Sequence, residues 1–239
     1  MQRLESADLL ELWERGQGRH PVDRALVVLA FACRDRSWDD LCSVPVGERN
    51  RLVLLARALT FGSRMDIVAA CPGCGLELEF DFTLPDDYPP VATREVEAEL
   101  PGRGPLRLRL PDSRDLAAVA ALTDAAAAQA HLLSRCVISP PLAPGDEMRA
   151  SAVAEAFSLA VERHDPLAVI AFPLACSGCG RAWRAILDPI DYTWRQLTQR
   201  VWLLIRDIHA LARAYGWTEG EVLRLSPARR QMYLDHVGA

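Results

Sequence analysis

Lysine is missing from this chain of 239 residues, and all 27 basic residues are arginine. Together with abundant alanine this points to a GC-rich coding sequence and carries no functional weight. Long apolar runs are missing too. Half the residues are hydrophobic, yet no stretch approaches the roughly 20 apolar residues of a membrane-spanning helix. Val27-Val28-Leu29-Ala30-Phe31 is too short and is bounded by charged residues. Positive charge is in short supply: 32 acidic against 27 basic side chains give a formal charge of −5. Basic residues cluster only at Arg103–Arg109 and Arg229-Arg230, whereas Glu77, Glu79, Asp81, Asp86 and Asp87 crowd one segment. Nucleic-acid binding, which needs a phosphate-neutralising face, is disfavoured.

The marks of catalysis are equally scarce. His20, His131, His164, His209 and His236 stand apart from any cysteine or carboxylate at metal-ligand spacing, and no serine has a nucleophile–base context. The glycines mark turns and do not build a phosphate-cradling loop. The pairs Asp39-Asp40 and Asp86-Asp87 could hold a divalent ion, but exposed loop acids are common. The expectation is a protein that is not an enzyme. No secretory signal is recognisable and the seven cysteines are odd in number, so the expected setting is reducing and cytoplasmic, without a disulfide framework.

What the sequence does contain is a pair of short motifs, Cys71-Pro72-Gly73-Cys74-Gly75 and Cys176-Ser177-Gly178-Cys179-Gly180, with 101 residues between Cys74 and Cys176. Each is a Cys-x-x-Cys-Gly knuckle. Together Cys71, Cys74, Cys176 and Cys179 offer four thiolates to one tetrahedral ion, and a closed four-sulfur shell marks a structural zinc site, one ion per chain. A thioredoxin-like dithiol would need a helix after the first cysteine. Here Leu76-Glu77-Leu78-Glu79-Phe80-Asp81-Phe82 alternates with period two, and Arg181–Leu187 also reads as a strand. An iron–sulfur cluster could use the same ligands, but nothing else suggests electron transfer. Cys33 and Cys136 fall on apolar helical faces, where a free thiol behaves as a small core residue; the seventh cysteine is Cys42.

Around the knuckles the chain reads as α+β and mostly helical, with two strand–knuckle–strand half-sites forming a zinc ribbon and a C-terminal helical arm. Residues 1–66 are expected to be helical. Residues 67–110 hold the first knuckle and a β-hairpin, 111–165 the middle helices, 166–190 the second knuckle and 191–239 the arm. Leu9, Leu10, Leu12 and Trp13 form amphipathic turns stopped by Gly16 and Gly18. Pro21 opens a helix carrying Leu26, Leu29, Ala30 and Cys33, Ser37 caps a short one at Trp38–Cys42, and Leu52, Leu55, Ala56 and Leu59 define a fourth. Val96–Leu100 and Leu106–Leu110 flank a Pro/Gly turn as a hairpin. Asp112 and Asp115 resemble a capping box for a helix running to Cys136, and Val153, Ala156, Phe157 and Ala160 mark another that ends near Asp165-Pro166. Each knuckle is followed by an Asp-Tyr pair, Asp87-Tyr88 and Asp191-Tyr192, so two related halves about a pseudo-twofold axis are expected.

In the arm, Trp194, Leu197, Val201, Leu204, Ile208, Leu211 and Tyr215 follow at alternating steps of three and four, a heptad seam. Such a seam packs on the chain's own helices or docks a partner; in the second case these seven are the partner-binding residues. Thr218-Glu219-Gly220-Glu221 and Ser226-Pro227 start two further short helices. A helix-turn-helix reading would rest on Arg224, Arg229 and Arg230 alone.

The stretches Pro45-Val46-Gly47-Glu48-Arg49, Phe61-Gly62, the first knuckle, Asp165-Pro166-Leu167, Ile208–Glu219 and Leu225–Arg230 resemble the zinc-knuckle members of the T-even phage baseplate protein family, including those encoded with phage-tail-like contractile injection systems. The likeness spans nearly the whole chain through short motifs, and the second knuckle departs from it in having Ser177 where a proline is expected. The resemblance implies baseplate hub assembly, as a chaperone or minor structural component, with hub or spike proteins of a tail-like assembly as partners. The competing class is a zinc-ribbon nucleic-acid-binding regulator, and a third is a redox enzyme using the Cys-x-x-Cys pairs.

Overall fold

The computed structural model describes residues 1–85, 87–100, 104–141 and 147–237. The chain begins with four helices, α1 (Ser6–Gly16), α2 (Pro21–Ala32), α3 (Trp38–Ser43) and α4 (Val46–Phe61). Their ends follow local chemistry. Pro21 takes the first helical position of α2, where no N–H is required, and His20 Nδ1 accepts from the Val22 amide at 3.3 Å. Ser37 and Asp40 cap α3 reciprocally.

The apolar stripes of α1, α2 and α4 converge on α8 (Pro189–Tyr215), a helix of 27 residues that brings Trp194, Leu197, Val201 and Leu204 into one core with Leu12, Leu29 and Val53. These four seam residues are at most 7% exposed. These four therefore pack on the chain's own helices, which corrects their reading as partner-binding residues. Leu211 is also buried and Ile208 half-buried, while Tyr215 stacks on Trp217 (centroids 4.8 Å apart) and meets Tyr233 edge-on. The physical reason is that a heptad stripe demands a lengthwise neighbour, and here the N-terminal helices supply it. A methyl group on Gly16 would lie 2.2 Å from Trp194 Cη2, so only glycine admits the indole against α1. The Arg24 guanidinium stacks over the same indole at 4.8 Å.

Gly216, at φ 68°, stops α8 in the left-handed conformation. Helices α9 (Glu219–Arg224) and α10 (Pro227–Val237) follow. Arg230 of α10 is 1% exposed, donates to Ser6 Oγ at 3.0 Å and lies 3.9 Å from Asp207. One of the three arginines of the helix-turn-helix reading thus faces inward.

A second core lies in the middle of the chain. Strands β3 (Glu95–Leu100), β4 (Gly104–Arg109) and β5 (Val137–Ser139) form an antiparallel sheet that packs with α6 (Ala125–Cys136) and α7 (Glu147–His164). The predicted hairpin exists, though it sits with the middle helices and not with the first knuckle; Pro101, Gly102 and Arg103 of its turn lie outside the described residues, as do Asp86 and Pro144-Gly145. The helix expected to run unbroken to Cys136 is interrupted. After α5 (Ser113–Val119), Asp124 accepts from the Ala126 amide at 3.1 Å and starts α6 afresh, a cap signal that outweighs the helix propensity of the surrounding alanines.

The third core joins two hairpins, β1 (Arg64–Ala70) with β2 (Glu77–Thr83), and β6 (Ile170–Ala175) with β7 (Ala182–Leu187). Both are antiparallel and each is alone in its sheet. Phe172 packs edge-on against Phe80 and Phe82, with centroids 5.0 and 5.2 Å apart, so the hairpins bury their inner faces on each other. Buried Arg57 of α4 fixes the first of them: it donates to the carbonyls of Gly62 and Arg64 and to Gln196 Oε1 of α8. Among the described residues no helix is long and apolar enough to cross a membrane.

Candidate metal centre

Each hairpin turns through its knuckle with the same hydrogen bonds. In the first, the Cys71 amide donates to the Leu76 carbonyl at 2.8 Å and the Gly75 amide to the Cys71 carbonyl at 2.9 Å. In the second, Cys176 donates to Arg181 and Gly180 to Cys176, both at 2.9 Å. Gly75 and Gly180 have φ of 75° and 74°, a region that a side chain would strain. The two knuckles share these backbone bonds and this left-handed glycine.

Packing the hairpins face to face brings the four sulfurs together, all within 4.8 Å of one another. Cys71 Sγ lies 3.6 Å from Cys179 Sγ and Cys74 Sγ 3.5 Å from Cys176 Sγ, each contact joining one knuckle to the other. These separations exceed a disulfide bond of about 2.05 Å. A tetrahedral ion with metal–sulfur bonds of about 2.3 Å requires sulfur–sulfur edges of about 3.8 Å, close to what is found. The donor set fits one ion.

The thiols alone share this space poorly. Burial pushes the Cys71 thiol up, but the Gly73 amide, 3.4 Å away, the Cys74 amide and the facing thiols bring it down to about 6. Cys74 accepts from the Leu76 amide, which lowers it, yet its hydrogen bonds to Cys176 and Cys179 hold it at about 12. One sulfur gives up its proton early and another keeps it, because the hydrogen bonds among the facing thiols favour a thiolate at one sulfur and a retained proton at another. A bound dication would remove the conflict. Cys71 and Cys176 are buried, whereas Cys74 and Cys179 face solvent.

Two neighbours of the site carry no signal in a ligand search. Leu76 and Arg181 occupy the same position, second after the last cysteine of each motif, and each crosses to the other knuckle. A methyl group on Gly178 would lie 3.2 Å from Leu76 Cδ2; one on Gly73 would lie 3.0 Å from Arg181 Cδ and 3.4 Å from Cys179 Sγ. Only the alignment of the two motifs could have pointed to them.

The remaining candidates are engaged elsewhere. Cys33, Cys42 and Cys136 are buried away from the centre, and burial together with the Asp115 carboxylate pushes Cys136 up to about 12. Asp40 closes the cap of α3 and Asp39 pairs with Arg114, so the Asp39-Asp40 pair has structural employment. Asp86 of the other acidic pair is outside the described residues.

Two motif segments far apart in sequence also meet. Asp165, fully buried, accepts from the Gly47 amide at 2.8 Å, and Asn50 donates to the Leu167 carbonyl at 2.9 Å. Pro45, at the N-cap of α4, has no side chain able to cap it, so Asp165 supplies the carboxylate from 118 residues away. A methyl group on Gly47 would lie 2.1 Å from Asp165 Oδ1, so glycine is required there. Burial pushes the Asp165 carboxyl up to about 6 against these amide bonds. Because this folded value lies above the unfolded value of about 3.9, the proton is held more tightly in the fold. The resulting stability is present below about pH 4 and is lost as pH rises through about 6. The expected difference is roughly 2–3 kcal/mol, read as a fall in wild-type stability over that window that Asp165→Asn does not share in paired urea titrations. Equal pH profiles would refute it.

Comparison of the chain with protein-family models, with curated proteins and with solved structures returned no match.

Proposed function

We propose that this chain is a non-catalytic assembly factor or minor structural component of a phage-tail-like baseplate, held in shape by one zinc ion on a four-cysteine ribbon. The observation that carries the metal half of this reading is the meeting of two congruent knuckles, whose sulfurs stand at tetrathiolate distances. Four protein ligands leave no open position for substrate, so the ion acts as a staple. The assembly half rests on the resemblance of the tail segments Ile208–Glu219 and Leu225–Arg230, and of Pro45–Arg49 and Asp165–Leu167, which the fold brings into contact.

With the α8 seam buried, docking falls to its outer face. Trp202 is 59% exposed there and stands beside exposed Leu203 and Ile205, an apolar group on an otherwise polar helix surface. Pull-down from the native host, followed by mass spectrometry, is expected to recover hub or spike proteins of a tail-like particle, and Trp202→Glu is expected to lose them. Purified protein should contain one zinc per chain. Capture of DNA or RNA in a salt-sensitive manner would instead support a zinc-ribbon regulator. The first hairpin speaks against that reading: Asp66, Glu77, Glu79 and Asp81 share its exposed outer face, with Asp66 and Asp81 directly opposite each other.

A further inference from the structure

Four thiolates around a divalent ion carry a net charge of −2, and the two halves of the site cover that charge differently. On one side Leu76 lays an aliphatic side chain over Gly178. On the other, Arg181 crosses Gly73, where a methyl group would lie 3.0 Å from its Cδ, 3.7 Å from its Nη1 and 3.4 Å from Cys179 Sγ. The exposed Arg181 side chain therefore shares the space over Gly73 with Cys179 Sγ, one of the two solvent-facing sulfurs. Its backbone is fixed by the knuckle, since the Arg181 carbonyl accepts from the Cys176 amide at 2.9 Å. Among the described residues no carboxylate forms an ion pair with it; Arg64, Arg107, Arg109 and Arg135 all have such partners.

The geometry points to Arg181 as the residue that sets how firmly the metal is held. Its positive charge offsets half of the tetrathiolate's excess. It is a positioning residue, acting on the ion through the ligand sulfurs, and its role rests on the zinc reading above. Outer-shell groups hydrogen-bonded to ligands are worth about ten- to a hundredfold in metal affinity, and an exposed charge without such a bond is expected at or below the lower end.

The experiment uses the full chain loaded with zinc and measures transfer of the ion to a chromogenic chelator. Arg181→Leu, which copies the opposite position, is expected to release zinc about tenfold faster and to bind it about tenfold more weakly. Arg181→Lys should recover most of the loss. The wild-type advantage should shrink as ionic strength rises, because charge compensation is screened and packing is not. Equal release from wild type and Arg181→Leu, or rescue by Arg181→Met as complete as by Arg181→Lys, would overturn the inference while leaving the zinc site standing. A wild-type chain that takes up no zinc would remove both.

Discussion

Substituting Cys71 or Cys176 by serine is expected to strip the chain of its metal and to disorder residues 64–83 and 170–187 together. Two-stranded hairpins are marginal alone in water, and here each forms a separate two-stranded sheet. Their mutual contact beyond the sulfurs is the Phe80–Phe172–Phe82 cluster, a small core with Met65, Ile67, Ile170 and Leu187, and the crossing side chains of Leu76 and Arg181. Edge-on aromatic pairs add about 0.5–1.5 kcal/mol each beyond their burial. A structural zinc site contributes about 10–16 kcal/mol of apparent binding free energy in small domains, comparable with the roughly 5–15 kcal/mol that stabilises a whole fold. The ion is thus expected to dominate this region. Elemental analysis should find no zinc in either variant, and hydrogen exchange should show lost protection in both hairpins although only one was altered. Wild-type melting and a full complement of metal in Cys71→Ser would defeat the shared site.

The second large effect is expected from α8. A chain ending after Asp191 should fail to fold, because Trp194, Leu197, Val201 and Leu204 close the core lined by α1, α2 and α4. A graded version is Leu197→Ala: the side chain is fully buried, and truncation of such a leucine costs about 3 kcal/mol once the cavity is included. The contrast lies one turn away, where Trp202 is largely exposed and Trp202→Glu should move stability by about 1 kcal/mol at most, the worth of its edge-on contact with Trp13. Urea titrations of the two variants separate interior from surface. If Leu197→Ala left stability untouched, the seam would not be the interior described above.

Legibility followed the range of the interactions. The caps at Ser37, Asp112 and Thr218 and the left-handed stop at Gly216 were readable, because each is settled within a few residues. The strand–knuckle–strand units were readable from period-two alternation and Gly75 and Gly180. The division of the alanine-rich stretch into α5 and α6 is not legible, since helix propensity favours continuity and the single cap at Asp124 is a weak signal beside it. What could not be read was the choice among partners. A heptad seam looks the same whether α1 or another chain covers it, and nothing near Asp165 announces that it caps a helix 118 residues earlier. At the candidate metal centre the grouping of the four cysteines is legible in their motifs, while Leu76 and Arg181 become visible only with the hairpins face to face.

The pairing of Gly16 with Trp194 has a consequence for biosynthesis. A ribosome translating this chain delivers the N-terminal helices first and α8 more than a hundred residues after α4. Until then Leu12, Leu29 and Val53 have no lid, and the nascent polypeptide trails an open apolar trough behind the tunnel exit. Cys71 and Cys74 likewise wait for Cys176 and Cys179 to emerge. The first half therefore carries exposed apolar surface during its own synthesis, and closure of the trough and convergence of the four cysteines fall at nearly the same moment.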